Sequence, residues 1–485
     1  MPIPDSIKRH KPTGLDHATD IRYIGRHYYV YEITSVWDEE KGRPQKKTVG
    51  CIGKITENDG FIPNKRFIDL YHTSRLGPTV KNYGAVEMFR VLGSDIRENL
   101  KRCFPDIYRQ IEVISLLRLV YRSQGKDLKY DFERCWLSDV YPDIGTCRDS
   151  INSIMASVAQ REDDRETFMR NFVVPGHSLI FDGTNIFCSC SDSIVEKGYN
   201  SSHSQRMQYR LMYVFDRELK TPMFYRVLPG AIVDKSAFIN TVRQVGSENC
   251  VVIGDKGFYS KANSSALMAA GLQFILPLQS NTTMIPKNFD ADESDRKFDG
   301  RFTYKGRHIW HKKFVCGDMG NHIYIFRDDS RRADSNARFT ELQEKEYGEK
   351  PLSDEDFFSD SRRGVFSFIS NMDVPAKDVY MIYKERWDIE NCFDYLKNSV
   401  IGKPGYNRTN EEIEADSFIN HVALLYFYRL VRKLDATGLK KDYTPEDIIK
   451  RGRNVYKRSE YIGHKQITEM TKEDAEIFKA LNVEL

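Results

Sequence analysis

The chain has 485 residues, of which 40% are hydrophobic, 29% charged and 12% aromatic, an ordinary globular mix with room for about three domains. A net charge of +3 and an isoelectric point of about 8.2 are too mild to prove a nucleic-acid partner, since dedicated binding domains often exceed about pI 9; they permit one where charge is concentrated. No apolar run approaches the roughly 20 residues of a membrane span, the start "MPIPDSIKRHKPTG" lacks an apolar signal core, and nine scattered cysteines fit reduced thiols in a cytoplasm better than a disulfide framework.

In chain order, "YYVYEITSVWD", the turn "EEKGRPQ" and "KKTVGCIGKI" read as short strands. Residues 84–165 read as helical. "IYRQIEVISLLRLVYRS" is the strongest piece, with Leu116, Leu117, Val120 and Tyr121 following Ile111, Val113 and Ile114 at helical spacing. From about 173 the elements alternate. "HSLIFDGTNIF" is a strand with an aspartate inside it, and "RLMYVFDRELKTPMFYRVLPG" is a hairpin turning at Asp216 to Lys220. "DKSAFINTVRQV" is a helix capped by Asp234 or Ser236. "CVVIGD" is a short strand ending on Asp255, and "SKANSSALMAAG" is a helix from a capping Ser260 to Gly271.

Residues 281–372 read as further strands with glycine turns and a charged helix, "SRRADSNARFTELQEKEYGEK". The predicted organisation is a small β-rich region over 1–60 and a helical region over 61–170. A first part of the core spans 171–280, a β-rich insertion 281–372, a second part of the core 373–436, and a basic, helical C-terminal region 437–485. The fold class is α/β, a mixed sheet flanked by helices.

Three carboxylates stand out. Asp182 sits in an apolar strand, where a carboxylate costs several kcal/mol unless paired or metal-bound. Asp255 ends an apolar strand, where α/β sheets gather ligands. Glu390 lies in "YKERWDIENCFDYLK". At about 100° per residue, one helix through that stretch places Tyr383, Arg386, Glu390 and Lys397 within an arc of roughly 60°, beside an apolar stripe of Ile382, Ile389, Phe393, Leu396 and Val400.

Three converging carboxylates repel one another, and two Mg²⁺ or Mn²⁺ ions about 3.5–4 Å apart would relieve this while activating an attacking oxygen at phosphorus. Arg386 and Lys397 then suit the phosphates of a bound strand. Blander readings stay open: a strand aspartate is about as often a structural acceptor, and a Glu with Arg and Lys at helical spacing is usually a solvated ion-pair face. Asp216 and Asp234 are rivals for the second position, although they read as turn and cap residues. "CSC" at 188–190 lacks zinc-like spacing, and His308 and His311 fall on a β hairpin.

Tyr383-x2-Arg386-x3-Glu390-x6-Lys397 resembles the YREK signature of bacterial insertion-sequence transposases of the IS-four group. "FDGTNIF" looks like that family's first-aspartate strand, "IGDKGFYS" like its second-aspartate motif, and the hairpin between them is similar too. The terminal regions "YYVYEITSVWDEEKGRPQKKTVGCIGKI" and "ITEMTKEDAEIFKALNV" also look like those of such proteins. The resemblance implies a ribonuclease-H-like domain with a DDE triad of Asp182, Asp255 and Glu390 holding two Mg²⁺ or Mn²⁺ ions, and a β-rich insertion before the glutamate. It implies a bacterial enzyme of the cytoplasm, on the nucleoid, that works as a homodimer on double-stranded DNA. Paired inverted-repeat ends would be nicked with water, and the freed 3′-OH would then attack target DNA. The helical region over 61–170 would bind DNA, and Tyr383, Arg386 and Lys397 would contact the transposon end. Trp310 or Tyr304 would receive a flipped base where a hairpin forms.

The basic segment Lys450, Arg451, Arg453, Lys457 and Arg458 reads equally as a DNA-backbone track or a solvated face. The alternative function is a catalytically silent DNA-binding protein derived from a transposase. A two-carboxylate glycosidase leaves Arg386 and Lys397 unexplained.

Overall fold

A computed structural model of the chain describes residues 3–13, 15, 17–39, 41–57, 59–72, 79–188, 194–199, 205–232, 234–246, 248–279, 282–285, 298–316, 320–347, 364–401, 409–461 and 464–485. The chain divides into two compact units. The first takes Met1–Val91, Lys129–Ile144 and Leu434–Leu485; the second takes Leu92–Leu128 and Gly145–Lys433. The helical stretch expected over 61–170 is therefore shared between the two.

In the first unit, β1 (Ala18–Ile24), β2 (His27–Asp38), β3 (Arg43–Thr56) and β4 (Gly60–Pro63) form an antiparallel meander. Ile21, Val30, Ile52, Ile55 and Phe61 bury one face with Ile7 and Phe67. A second, three-stranded sheet joins β5 (Thr79–Asn82) to the late strands Tyr456–Tyr461 and His464–Ile467.

The second unit is built on one sheet from β6 (Ser178–Phe187), β7 (Glu196–Tyr199), β8 (Gln205–Asp216), β9 (Thr221–Pro229), β10 (Val251–Ile253), β11 (Gln273–Pro277), β12 (Gly300–Tyr304), β13 (Arg307–Cys316), β14 (Asn321–Asp328) and β15 (Val365–Ser370). Its order is β12-β13-β14-β15-β11-β10-β6-β8-β7, with β9 on β8. β6, β10 and β11 run parallel. β10 is short and wholly apolar, as a strand covered on both faces must be. The strands expected as an insertion extend this same sheet: β15 pairs antiparallel with β11, and β14, β13 and β12 follow outward.

Helix Tyr108–Tyr121 is buried from Ile111 to Val120, so it is covered on every face rather than along one stripe, and its buried Glu112 is held by Arg97 at 2.9 Å. It lies against the Asn410–Thr437 helix, where Arg118 binds Asp416 at 2.6 Å and Asn420 at 2.8 Å. That partner helix carries His421, fully buried with its ring 5.1 Å from Tyr225 and 5.8 Å from Tyr213. Burial pushes its pKa down to about 3. The unfolded chain takes up this proton near the ordinary histidine value while the folded chain refuses it, so stability falls as pH drops from about 6.5 toward 3. His421→Phe is expected to lower the acid-unfolding midpoint, followed by circular dichroism between pH 7 and 3; an unchanged midpoint would assign the acid lability to other groups.

Among the described residues no helix is long and apolar enough to cross a membrane, and the described cysteines are free thiols. Cys188 is buried; the rest of the "CSC" triplet lies outside the described residues.

Candidate active site

β6 lays Leu179, Ile180, Phe181 and Asp182 in succession into the interior. Asp182 is 8% exposed, and its Oδ1 accepts the Gly183 N–H at 2.8 Å. A Cβ on Gly183 would stand 2.5 Å from the Arg210 guanidinium, so a larger residue there would require the Arg210 side chain to shift. The parallel register pairs Ile253 with Ile180, and two residues further on Asp255 comes level with Asp182. Gly254 lets β10 end tightly, since a Cβ there would lie 2.8 Å from Leu276 and 2.9 Å from Phe258. The Phe258 N–H then closes the turn on the Asp255 carbonyl at 3.0 Å.

The stretch expected as one helix through 383–397 is broken. Helix Ala376–Lys384 stops, Glu385 and Arg386 form a turn, helix Trp387–Tyr395 resumes, and Leu396–Ile401 widens into a π turn. The uniform 100° step that set the 60° arc therefore does not run through the segment. The break places Arg386 at the corner with Glu390 one turn on. Arg386 Nη1 lies 2.7 Å from Asp182 Oδ2 and 3.4 Å from Asp255 Oδ1, and Nη2 lies 2.6 Å from Glu390 Oε1. One guanidinium thus bridges three carboxylates drawn from β6, the end of β10 and a helix.

Burial pushes the Asp182 carboxyl up to about 7; Arg386 opposes this and Asp255 adds to it. Burial alone would lower the Arg386 pKa, but Asp182, Tyr383, Asp255 and Glu390 hold it above its ordinary value. Tyr383 packs on Phe368 at 4.4 Å, lies under the Arg386 guanidinium at 5.7 Å, and is pushed by burial up to about 12. Lys397 is exposed as a residue, yet partial burial of its ammonium pushes its pKa below the ordinary lysine value, against the charges of Asp394 and Asp182.

Hard carboxylate oxygens already gathered around one positive charge fit Mg²⁺ or Mn²⁺. The guanidinium holds them apart, however. Among the described residues, only His177, Asp216 and Glu218 bring three possible ligand atoms within 4.8 Å of one another. Those groups have structural partners: Asp216 binds His177 at 2.7 Å and accepts the Leu219 N–H at 2.6 Å, and Glu218 accepts the Ser178 N–H at 2.8 Å. Asp216 is the turn residue that its place in the hairpin predicts; the side chain of Asp234 lies outside the described residues.

A cleft of about 340 Å³ opens beside Glu390, lined among others by Lys256, Arg331, Phe366, Tyr383, Lys384 and Trp387. Trp387 is 66% exposed. Arg331 and Lys384 stand 5.1 and 5.4 Å from the Phe366 ring. These cations and rings escaped the sequence reading because Arg331, Phe366 and Trp387 meet only through the sheet.

Trp310 and Tyr304 are not part of the cleft lining. Trp310 on β13 donates to Asp329 at 3.2 Å and faces Arg301 at 5.5 Å; Tyr304 on β12 packs on Tyr380 at 5.1 Å. His308 and His311 both fall on β13. The basic segment spans two elements. Lys450, Arg451 and Arg453 belong to the Pro445–Arg453 helix, Lys457 and Arg458 to the next strand. Arg451 pairs with Glu473 at 2.7 Å and Asp474 at 2.6 Å. Lys457 lies 4.3 Å from the rings of both Tyr83 and Trp136, while Lys450 and Arg458 are exposed.

Residues 177–403 match the family described as the transposase DDE domain. No curated protein matches the chain. Among solved structures, a piggyBac transposase in a synaptic complex with hairpin DNA is similar at 12% identity over 78% of this chain and 81% of that one, with a TM-score of 0.42. A Mos1 transposase in a paired-end complex with its left transposon end is 13% identical over 34% of this chain and 56% of that one, with a TM-score of 0.15.

Proposed function

We propose that the chain is the DNA transposase of an insertion sequence, with Asp182, Asp255 and Glu390 as its metal-holding acids and β6 to β11 as the heart of a ribonuclease-H-like core. The observation that carries this is the convergence of the three acids on one cationic centre inside the segment that matches a transposase DDE domain. Two Mg²⁺ or Mn²⁺ ions would be held by these oxygens, where they supply an activated attacking oxygen and charge stabilisation at phosphorus.

The chain's own groups do the rest. The cleft beside Glu390 offers Lys256, Arg331 and Lys384 to phosphates, and Phe366 and Trp387 to bases, the pairing of charge and stacking that suits an unpaired strand. Arg386 and Lys397 stand at the acids, placed to hold the phosphodiester. Paired double-stranded ends, a target duplex and a homodimer belong to the same reading.

The test uses a duplex carrying the inverted repeats that bracket the gene. Nicked product is expected with millimolar Mn²⁺ or Mg²⁺ and none with EDTA, and Glu390→Gln is expected to shift the duplex without nicking it. Cleavage that persists in EDTA would overturn the metal assignment. Wild-type binding without cutting under any divalent ion would leave the silent DNA-binding protein as the function.

A further inference from the structure

The segment from Thr34 to Lys47 does not behave like the rest of its sheet. β1 stops pairing with β2 at Ala18–Ile33, and β4 pairs with β3 only from Gly53 to Thr56. Beyond those points, among the described residues, β2 and β3 pair only with each other, through Thr34–Lys47, Ser35–Lys46, Val36–Gln45, Trp37–Pro44 and Asp38–Arg43. This is a bare two-stranded ribbon, roughly 17 Å long at about 3.3 Å per residue. Ser35 to Trp37 on β2 and Arg43 to Val49 on β3 are exposed without interruption, so neither face packs on a core.

An isolated two-stranded ribbon is marginal in water, and this one leaves apolar groups in solvent: Trp37 is 64% exposed and Val36 48%. Its charge is divided along the chain. In sequence, acids stand at positions 38 to 40, whereas β3 from Arg43 to Thr56 carries Arg43, Lys46, Lys47 and Lys54 and no acid. Directly paired residues share a face. Arg43 and Lys47 therefore lie on the face with Val36, and Lys46 on the opposite face with Trp37. Cations thus flank both sides of an apolar centre.

We propose that this ribbon is a DNA-binding arm that enters a groove of duplex DNA, with Arg43, Lys46 and Lys47 on phosphates and Trp37 against the groove wall. The inference rests on the reading of the chain as a DNA enzyme. A major groove about 12 Å wide admits a two-stranded ribbon. Three cations on one strand match the two phosphate rows that border it. No helix-turn-helix pattern competes for this role in the N-terminal sequence.

The experiment measures binding of a fluorescent 30-base-pair duplex of mixed sequence to the full chain in EDTA, by anisotropy across a salt series. Each lost phosphate contact removes about 0.9 from the slope of log K against log salt. The triple variant Arg43→Ala, Lys46→Ala, Lys47→Ala is expected to flatten the slope by about 2 to 3 and to weaken binding on the order of tenfold or more at low salt. Trp37→Ala is expected to weaken binding with the wild-type slope retained. All of these side chains are exposed, so the variants should melt with the wild type. A triple variant that keeps the wild-type slope and affinity overturns the arm. If wild-type nicking still depends on Glu390, the transposase reading survives that result. A wild type that does not bind duplex at all overturns both. A wild-type oligomer dissolved by Trp37→Ala, with DNA binding untouched, would show that a second copy covers the ribbon and also overturns the proposal.

Discussion

Asp182→Asn is expected to reduce strand cleavage by about 10³-fold or more, the scale of removing one electrostatic stabiliser from a reaction centre, while stabilising the metal-free fold at alkaline pH. The two effects share a cause. Asp182 is buried at the meeting of three carboxylates, and burial pushes its carboxyl up to about 7. The unfolded chain releases that proton near the ordinary aspartate value, the folded chain only near neutrality. Stability from the protonated form is therefore complete below about pH 4 and is lost as pH rises through about 7. Asparagine keeps the shape and removes the charge. The stability difference between variant and wild type should swing toward the variant from pH 5 to pH 8.5, by at most about 3 kcal/mol. Urea unfolding in EDTA at both pH values measures this, and parallel curves would show that Asp182 is not the group responsible. Millimolar Mn²⁺ should stabilise the wild type and not the variant, since a ligand that binds only the folded state adds stability in proportion to its occupancy.

This site was legible in the sequence to the extent that local pattern carried it. An aspartate within "SLIFDGTNIF" and another at the end of "CVVIGD" announce themselves because apolar neighbours force both strands inside. The parallel register that levels them is not local, yet it follows from two short apolar strands separated by a crossover. The break at Arg386 was not legible. Nothing between Tyr383 and Trp387 is a proline or glycine, so periodicity runs straight through. The turn there coincides with ion pairs from Arg386 to Asp182 and Asp255, groups 204 and 131 positions away by residue number. Long-range packing also sets the course of β12 to β15. Glycine turns mark them as strands, but only pairing of β15 with β11 makes them a continuation of the main sheet. The ribbon beyond β1 was read as strands from its β-branched and aromatic residues; that it lacks outer neighbours depends on where β1 and β4 stop.

Arg386→Ala is expected to cost the metal-free chain about 3 kcal/mol, the lower end for removing one partner from a buried ionic cluster. The lower end applies because the Asp255 and Glu390 side chains are 42% and 41% exposed, so water screens them, whereas Asp182 is held inside at 11%. Without the guanidinium, three carboxylates from β6, the end of β10 and the Trp387–Tyr395 helix face one another with the bridging positive charge gone. A divalent cation supplies that charge. Mn²⁺ should therefore raise the unfolding midpoint of Arg386→Ala by more than it raises that of the wild type, because in the wild type the ion must first compete with Arg386 for the same oxygens. Arg386→Lys should fall between the two: it restores charge but not the fork that reaches Asp182 and Glu390 together. Cleavage should fall in both variants even where Mn²⁺ binding improves, if Arg386 also holds the phosphodiester. Equal Mn²⁺ shifts in wild type and Arg386→Ala would mean that the cation acts elsewhere, and the convergence of the three acids would then be only an ion-pair network that fastens a helix to a sheet.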